Sequence, residues 1–210
     1  MKKLLLGNEA VARGLYEGGC RVASSYPGTP STEVTECIST YNEITSEWAP
    51  NEKVAMEVAF GACVAGARSF CAMKHVGLNV AADPLFTSSY TGVNAGLVVV
   101  VADDPGMHSS QNEQDSRHYA QASKIMMLEP ADSDECLKYS KMAFELSEKF
   151  DTPVILRLTT RVSHSRSLAE LSDRADVPVK EYVKNPQKYV MMPANAIPKH
   201  VVVEERIKAL

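Results

Sequence analysis

The sequence predicts an α/β fold: a three-layer α/β/α arrangement around a mostly parallel sheet of about six strands. Three observations carry this reading. Between Asn8 and about Thr160, stretches with apolar residues at three-to-four spacing alternate with short β-rich runs bounded by Gly, Pro or Asp. Ala95-Gly-Leu-Val-Val-Val-Val-Ala102, followed by Asp-Asp-Pro, is the unbroken β-branched run of a central parallel strand covered on both faces. The length of 210 residues, 45% hydrophobic and 23% charged, suits one domain of about 150 residues plus an extension.

Taken in order, the first helix is expected from Asn8, as cap, through Leu15 to a stop at Gly18-Gly19. A strand follows at Arg21–Ser25. After Tyr26-Pro-Gly-Thr-Pro30, Ser31 is placed to cap a helix carrying Val34, Ile38 and Tyr41. Trp48–Ala55 reads as a connector or short strand. Glu57–Arg68 is an Ala- and Gly-rich helix, small enough in its side chains to lie close on a sheet. Ser69–Lys74 is a strand, Leu78–Tyr90 a helix interrupted at Pro84, and Asp103–Arg117 a long polar loop at the end of the central strand. Tyr119–Ile125 is helical, Met126–Glu129 a strand, Ser133–Lys149 an amphipathic helix and Pro153–Thr159 the last strand. This organisation divides the chain into a domain, 1–164, and a polar, Pro-broken interdomain linker, 165–210. The linker's Tyr182, Val183, Tyr189 and Val190 are expected to lie along a neighbouring surface, and further C-terminal domains are expected to follow it.

A net charge of −4 offers no electrostatic footing for nucleic acid or an acidic membrane. No apolar stretch approaches the roughly 20 residues of a membrane span, and the three leucines after Lys2-Lys3 fall short of the roughly 7–15 apolar residues of a secretory signal, so the expected location is cytoplasmic. Cys20, Cys37, Cys63, Cys71 and Cys136 are scattered without CxxC or Cys/His pairing, which predicts buried free thiols rather than a metal or iron–sulfur site.

In open parallel sheets ligands bind beyond the carboxyl ends of the strands, which selects three regions. Tyr26-Pro27-Gly28-Thr29-Pro30-Ser31-Thr32 offers a Gly for close approach and three hydroxyls near a helix start, or is an ordinary capped turn. Glu57, set between Met56, Val58 and Phe60, is either a buried carboxyl fitted by a raised pKa for proton exchange, or a surface glutamate favoured by the helix dipole. The Asp103–Arg117 loop with Lys74-His75 is either functional, as long loops in compact domains tend to be, or a solvated surface.

YPGTPSTE, AMEVAFGA, KHVGLNVAADPL and VVVVADDPGMHSSQNEQDSR together resemble the N-terminal region of the alpha subunit of indolepyruvate ferredoxin oxidoreductase, from Lys3 to about His164. The resemblance implies the pyrimidine-binding domain of a thiamine diphosphate enzyme. That enzyme oxidatively decarboxylates aryl 2-oxoacids such as indolepyruvate to the acyl-CoA and passes electrons through iron–sulfur clusters to ferredoxin. It implies that Glu57 bonds the aminopyrimidine N1′ and so favours the imino tautomer that deprotonates the thiazolium C2. Gly28 and Thr29 would touch cofactor or substrate. His75 and Arg117, placed by loop position alone, would hold a 2-oxoacid carboxylate. Asp103 and Asp104 would shape the loop rather than bind metal.

The diphosphate-binding GDG signature and the cysteine runs for 4Fe–4S clusters are both absent from these residues. Magnesium, diphosphate and clusters are therefore expected elsewhere in the complete enzyme, together with coenzyme A, ferredoxin and a beta subunit. The chain alone is expected to be inactive and to self-associate through Glu57–Arg68 and Leu78–Tyr90. The alternative is a noncatalytic α/β binding or assembly module, which a Glu57 carboxyl lying in solvent away from the Thr29 turn would favour.

Overall fold

In the computed structural model, which describes residues 1–210, the alternating pattern resolves into β2 (Val22–Ser25), β3 (Thr45–Trp48), β4 (Ser69–Lys74), β5 (Leu97–Asp103), β6 (Met126–Leu128) and β7 (Val154–Thr159). These form one all-parallel sheet in the order β3-β2-β4-β5-β7-β6. Parallel neighbours need crossover connections, and the helices that supply them cover both faces. Side-chain alternation along each strand sorts the core accordingly. Phe70, Ala72, Val98, Val100 and Leu156 face α1 (Gly7–Glu17), α2 (Thr32–Ile38) and α7 (Ser133–Phe150). Cys71, Met73, Val99, Val101 and Ile155 face α3 (Glu52–Val64), α4 (His75–Val80), α5 (Ala82–Thr91) and α6 (Arg117–Ser123). All seven residues of β5 are buried, as its β-branched run requires.

Several helix limits differ from the sequence reading for local reasons. α1 starts at Gly7 because Glu9 reaches back to the Leu6 N–H at 2.8 Å, a capping-box contact. The Asn8 side chain is then free to serve elsewhere. α3 starts at Glu52 because the Asn51 side chain accepts the Val54 N–H at 3.0 Å, so Glu57 sits in the second turn rather than at the helix start. The break expected at Pro84 falls at Ala81, and Pro84 occupies the first turn of α5, where no intrahelical N–H is needed. β3 lies just upstream of the expected connector.

The packed unit extends past residue 164. After α8 (Thr160–His164), β8 (Arg166–Glu170) pairs antiparallel with β1 (Lys2–Leu6), so the lysine- and leucine-rich N-terminus is an edge strand. The tail then runs beneath the amino ends of the main strands. Ala175 N–H donates to Glu17 O at 2.8 Å, Arg21 to Val177 O at 2.8 Å and Lys180 N–H to Gly66 O at 2.9 Å. Gly66 has φ +99°, and a Cβ there would meet Lys180 O at 1.9 Å, so a side chain at this crossing would push the strap away. After α9 (Pro186–Tyr189), α10 (Pro193–Ala209) docks on α5, with Arg206 donating to Ser89 O and Asp151 O. The tail thus closes the amino end of the sheet and leaves the carboxyl end open.

Candidate functional site

The chain turns to β3 on one side of β2 and returns to β4 on the other, so the point where strand order reverses lies between the carboxyl ends of β2 and β4. Such a point opens a crevice. The Tyr26–Thr32 turn enters it from β2, and Lys74-His75 from β4. The two are in touch, since a Cβ on Gly28 would meet the Lys74 side chain at 3.0 Å. The turn is held from inside. Gly28 N–H donates to Thr32 Oγ1 at 2.9 Å, Ser31 Oγ donates to Gly28 O at 2.8 Å, and the buried Asn8 amide donates to Pro30 O at 2.7 Å and to Glu33 Oε2 at 2.9 Å. Ser31 and Thr32 therefore use their hydroxyls within the turn. Of the three hydroxyls read as ligand contacts, that of Thr29 alone stays exposed and unpaired.

The Asp104–Ser116 loop is anchored at both ends by buried carboxylates. Asp104 accepts Thr160 Oγ1 at 2.7 Å, Ser109 N–H at 2.8 Å and Ser110 Oγ at 2.8 Å. Burial alone would raise its pKa, but these donors outweigh that and hold the carboxyl well below the usual carboxylate range. Asp103 accepts Ser116 N–H at 3.0 Å, the Ser116 hydroxyl, and Arg157 Nε at 2.8 Å. Arg157 also bonds Glu129. The loop's middle is tied to the crevice: Lys74 Nζ donates to Ser109 O at 3.0 Å, and Ser109 Oγ to Thr29 O at 3.3 Å.

These ties alter the expectations for His75 and Arg117. His75 is fully buried, with Nε2 at 2.9 Å from Asn112 O and Nδ1 unpaired, so within this chain its ring seats the loop. Arg117 is exposed, but its guanidinium forks onto Asp115 at 2.7–3.0 Å, which uses the geometry a carboxylate ligand would need. The sequence reading took Asn8 only as a helix cap and gave Arg157 and Thr160 no role, because each acts through a partner more than 20 residues away.

Glu57 is not buried within this chain. Its side chain is 51% exposed on the outer face of α3, 3.9 Å from Lys53 Nζ, and no hydrogen bond joins it to the Thr29 turn. The apolar neighbours that suggested burial divide by helical phase: Met56 points into the core, Phe60 is half-buried and Val58 is exposed beside Glu57. A Cβ on Gly61, one turn further, would meet nothing within 4 Å, and Val80 and Phe86 on the neighbouring helices are exposed too. The result is a carboxylate on an uncovered face of small and apolar residues. Four cysteines, Cys20, Cys63, Cys71 and Cys136, are buried thiols pushed up to about 12, all five are unpaired, and no three metal-ligating side chains converge anywhere in the chain. No helix is long and apolar enough to cross a membrane.

Known proteins sharpen this geometry. The chain is 51% identical over 98% of its length to indolepyruvate oxidoreductase subunit IorA of Methanothermobacter marburgensis, and 49% identical over 99% to the subunit of the same name from Pyrococcus horikoshii. It spans 34% and 33% of those relatives, about a third of their length. A 2-oxoglutarate:ferredoxin oxidoreductase from Magnetococcus marinus, solved with 2-oxoglutarate, coenzyme A and succinyl-CoA bound, superposes with a TM-score of 0.80 at 19% identity, covering 99% of this chain and 45% of that one. That likeness establishes a shared fold. The family model described as pyruvate flavodoxin/ferredoxin oxidoreductase, thiamine diphosphate-binding, matches residues 13–207, nearly the whole sheet and its strap, and the chain belongs to that family.

Proposed function

We propose that this chain is the pyrimidine-binding part of a thiamine diphosphate-dependent 2-oxoacid:ferredoxin oxidoreductase acting on aryl 2-oxoacids such as indolepyruvate, with Glu57 as the activating carboxyl. The observation that carries the reading is the match of residues 13–207 to a thiamine diphosphate-binding family, and the uncovered apolar face around the exposed Glu57 leaves room for a second surface to bury its carboxyl. Identity near 50% to relatives named for indolepyruvate supports the substrate class. A solvent-exposed Glu57 is also what a noncatalytic module would show, and the family is what favours catalysis.

The residues present fit half of the cofactor. Glu57 supplies one carboxyl for a ring nitrogen, while no cluster here could hold a metal-bound diphosphate. Thiamine diphosphate, when bound, supplies a ring carbon that adds to the 2-oxo carbonyl and takes up the electron pair left by loss of carbon dioxide. The chain's own contribution is protonic and positional. A second surface closing over α3 would strip water from Glu57 and favour its neutral, proton-carrying form, so that the carboxyl could hold and return a proton at the pyrimidine nitrogen. Gly28 would let the turn approach, and the Thr29 hydroxyl would reach substrate. Magnesium, the 4Fe–4S clusters, coenzyme A, ferredoxin and a beta subunit belong to the complete enzyme.

The covering surface could be a second copy, since α3 and α5 expose Val58, Gly61 and Phe86 together. Light scattering of the chain at high concentration should show dimers, and monomers alone would remove self-association from the proposal. The catalytic reading is tested by Glu57→Gln in the assembled enzyme. Turnover should fall by roughly 10²–10⁴-fold with the unfolding midpoint unchanged. Undiminished turnover would overturn it and leave the binding module.

A further inference from the structure

We propose that the groove between the Asp104–Ser116 loop and the start of α8 is an oxyanion-binding subsite centred on Arg161, built to take a carboxylate or phosphate. Its volume is about 400 Å³, and it is lined by Pro105, His108, Thr159, Thr160 and Arg161. It lies at the carboxyl ends of β5 and β7 and adjoins the crevice, because Ser109, next to His108, is bonded to Thr29 O. The volume falls in the lower part of the usual range for small-ligand pockets.

The cation supply at this rim singles out one residue. Arg157 is closed off by Asp103 and Glu129, and Arg117 by Asp115. The Arg161 guanidinium is exposed and makes neither an ion pair nor a side-chain hydrogen bond. A free planar fork is suited to two parallel bonds with a carboxylate or phosphate. No acidic side chain lines the groove. Two carboxylates stand close by but are engaged: Asp104 lies behind Thr160, whose hydroxyl donates to it at 2.7 Å, with further donors from Ser109 and Ser110, and Glu113 accepts the Gly106 N–H at 2.8 Å. Thr160 is therefore wall, not ligand. Thr159 differs: its oxygen accepts the Val162 N–H at 3.5 Å, which leaves the hydroxyl proton free to donate. The imidazole of His108 has no hydrogen-bond partner and folds toward Gly106, where φ is +83° and an added Cβ would lie 3.3 Å from His108 Nε2. Gly106 thus leaves space for the ring of His108, which lines the same groove as Arg161.

The subsite rests on the proposed function only for the ligand's identity, a 2-oxoacid carboxylate or a phosphate of coenzyme A. In the 210-residue chain, titration with inorganic phosphate should move the NMR signals of the Arg161 side chain and the His108 ring in a saturable way. Arg161→Gln should raise the half-saturation concentration about tenfold or more and leave the urea midpoint unchanged, since Arg161 holds nothing in the fold. A parallel titration with phenylpyruvate distinguishes the sources, the tighter anion being the one the groove serves. Shifts that fail to saturate with both anions, or saturation equal in wild type and Arg161→Gln, would overturn the subsite. Glu57→Gln should leave both titrations unchanged, so failure here and failure of the catalytic reading are separate results.

Discussion

Asp103 and Asp104 at the end of β5, and Glu57 on the outer face of α3, carry the same functional group in opposite conditions. The two aspartates are fully buried, and every donor that reaches them comes from the loop, β7 or α8. Glu57 is half in water, with one ion-pair partner at 3.9 Å. A buried carboxylate must be satisfied by fixed donors, and those donors then leave it no capacity for a ligand. An exposed one keeps its capacity, and here its surroundings are small and apolar enough to be covered later. The carboxyl end of the sheet is thus prepared in advance by this chain, whereas the α3 face is completed only when something else lands on it.

This contrast can be broken or sharpened by mutation. The largest effect is expected for Asp103→Ala, which strands Arg157, a side chain only 5% exposed, with its charge partly unpaired. Urea unfolding should show a loss of about 3–5 kcal/mol, and a loss below about 1 kcal/mol would mean the pair behaves as a surface one. Asp104→Asn is expected to cost about 1–3 kcal/mol near neutral pH through weakened hydrogen bonds to a charged acceptor. Its sign with pH is set by a depressed folded pKa: the stabilisation is complete above the unfolded value near ~4 and is lost as pH falls through the folded value. The wild-type advantage over Asp104→Asn should therefore shrink on acidification below about pH 4, and an advantage that grows there would break the assignment.

On the α3 face the effects should be smaller and of a different kind. Gly61→Ala fills open space in a helix interior and should stabilise the chain by about 0.5–1 kcal/mol. Gly61→Leu should be tolerated by the isolated chain yet abolish self-association in sedimentation, if that face is covered as proposed. Glu57→Gln should change stability by no more than about 0.5 kcal/mol. A larger loss would show that Glu57 is structural after all.

The central strand was legible because seven consecutive buried positions need an apolar, β-branched run, and β7 was legible by the same logic, whereas β4, Ser-Phe-Cys-Ala-Met-Lys, showed only as a short apolar run. Helix starts were less so. They depend on which side chain reaches a backbone N–H: Glu9 decided this for α1 where Asn8 was expected to, Asn51 decided it for α3, and α2 does start after Ser31 although the Ser31 hydroxyl bonds Gly28 O instead of capping. The strap's packing was not legible because its bonds to Glu17, Arg21 and Gly66 join residues more than 100 positions apart, a pairing that no local pattern announces. In the site, Thr29 and Asp104 sit where the strand ends put them. For His75 and Arg117 the residue type did not reveal the partner that engages each within this chain, the carbonyl of Asn112 and the neighbouring carboxylate of Asp115.

Periodicity and turn chemistry act over a few residues, so the sequence by itself determined the α/β alternation, the loops that gather at the strands' carboxyl ends, and the motifs that mark the family. Only the tertiary structure decided which charges are spoken for and which are free. Arg157 and Arg161 are four residues apart and alike on paper, but one is enclosed by carboxylates and the other faces an open groove. The reason is physical: a charge's availability depends on what the rest of the chain brings within hydrogen-bonding distance, and those partners come from strands and loops far apart in sequence.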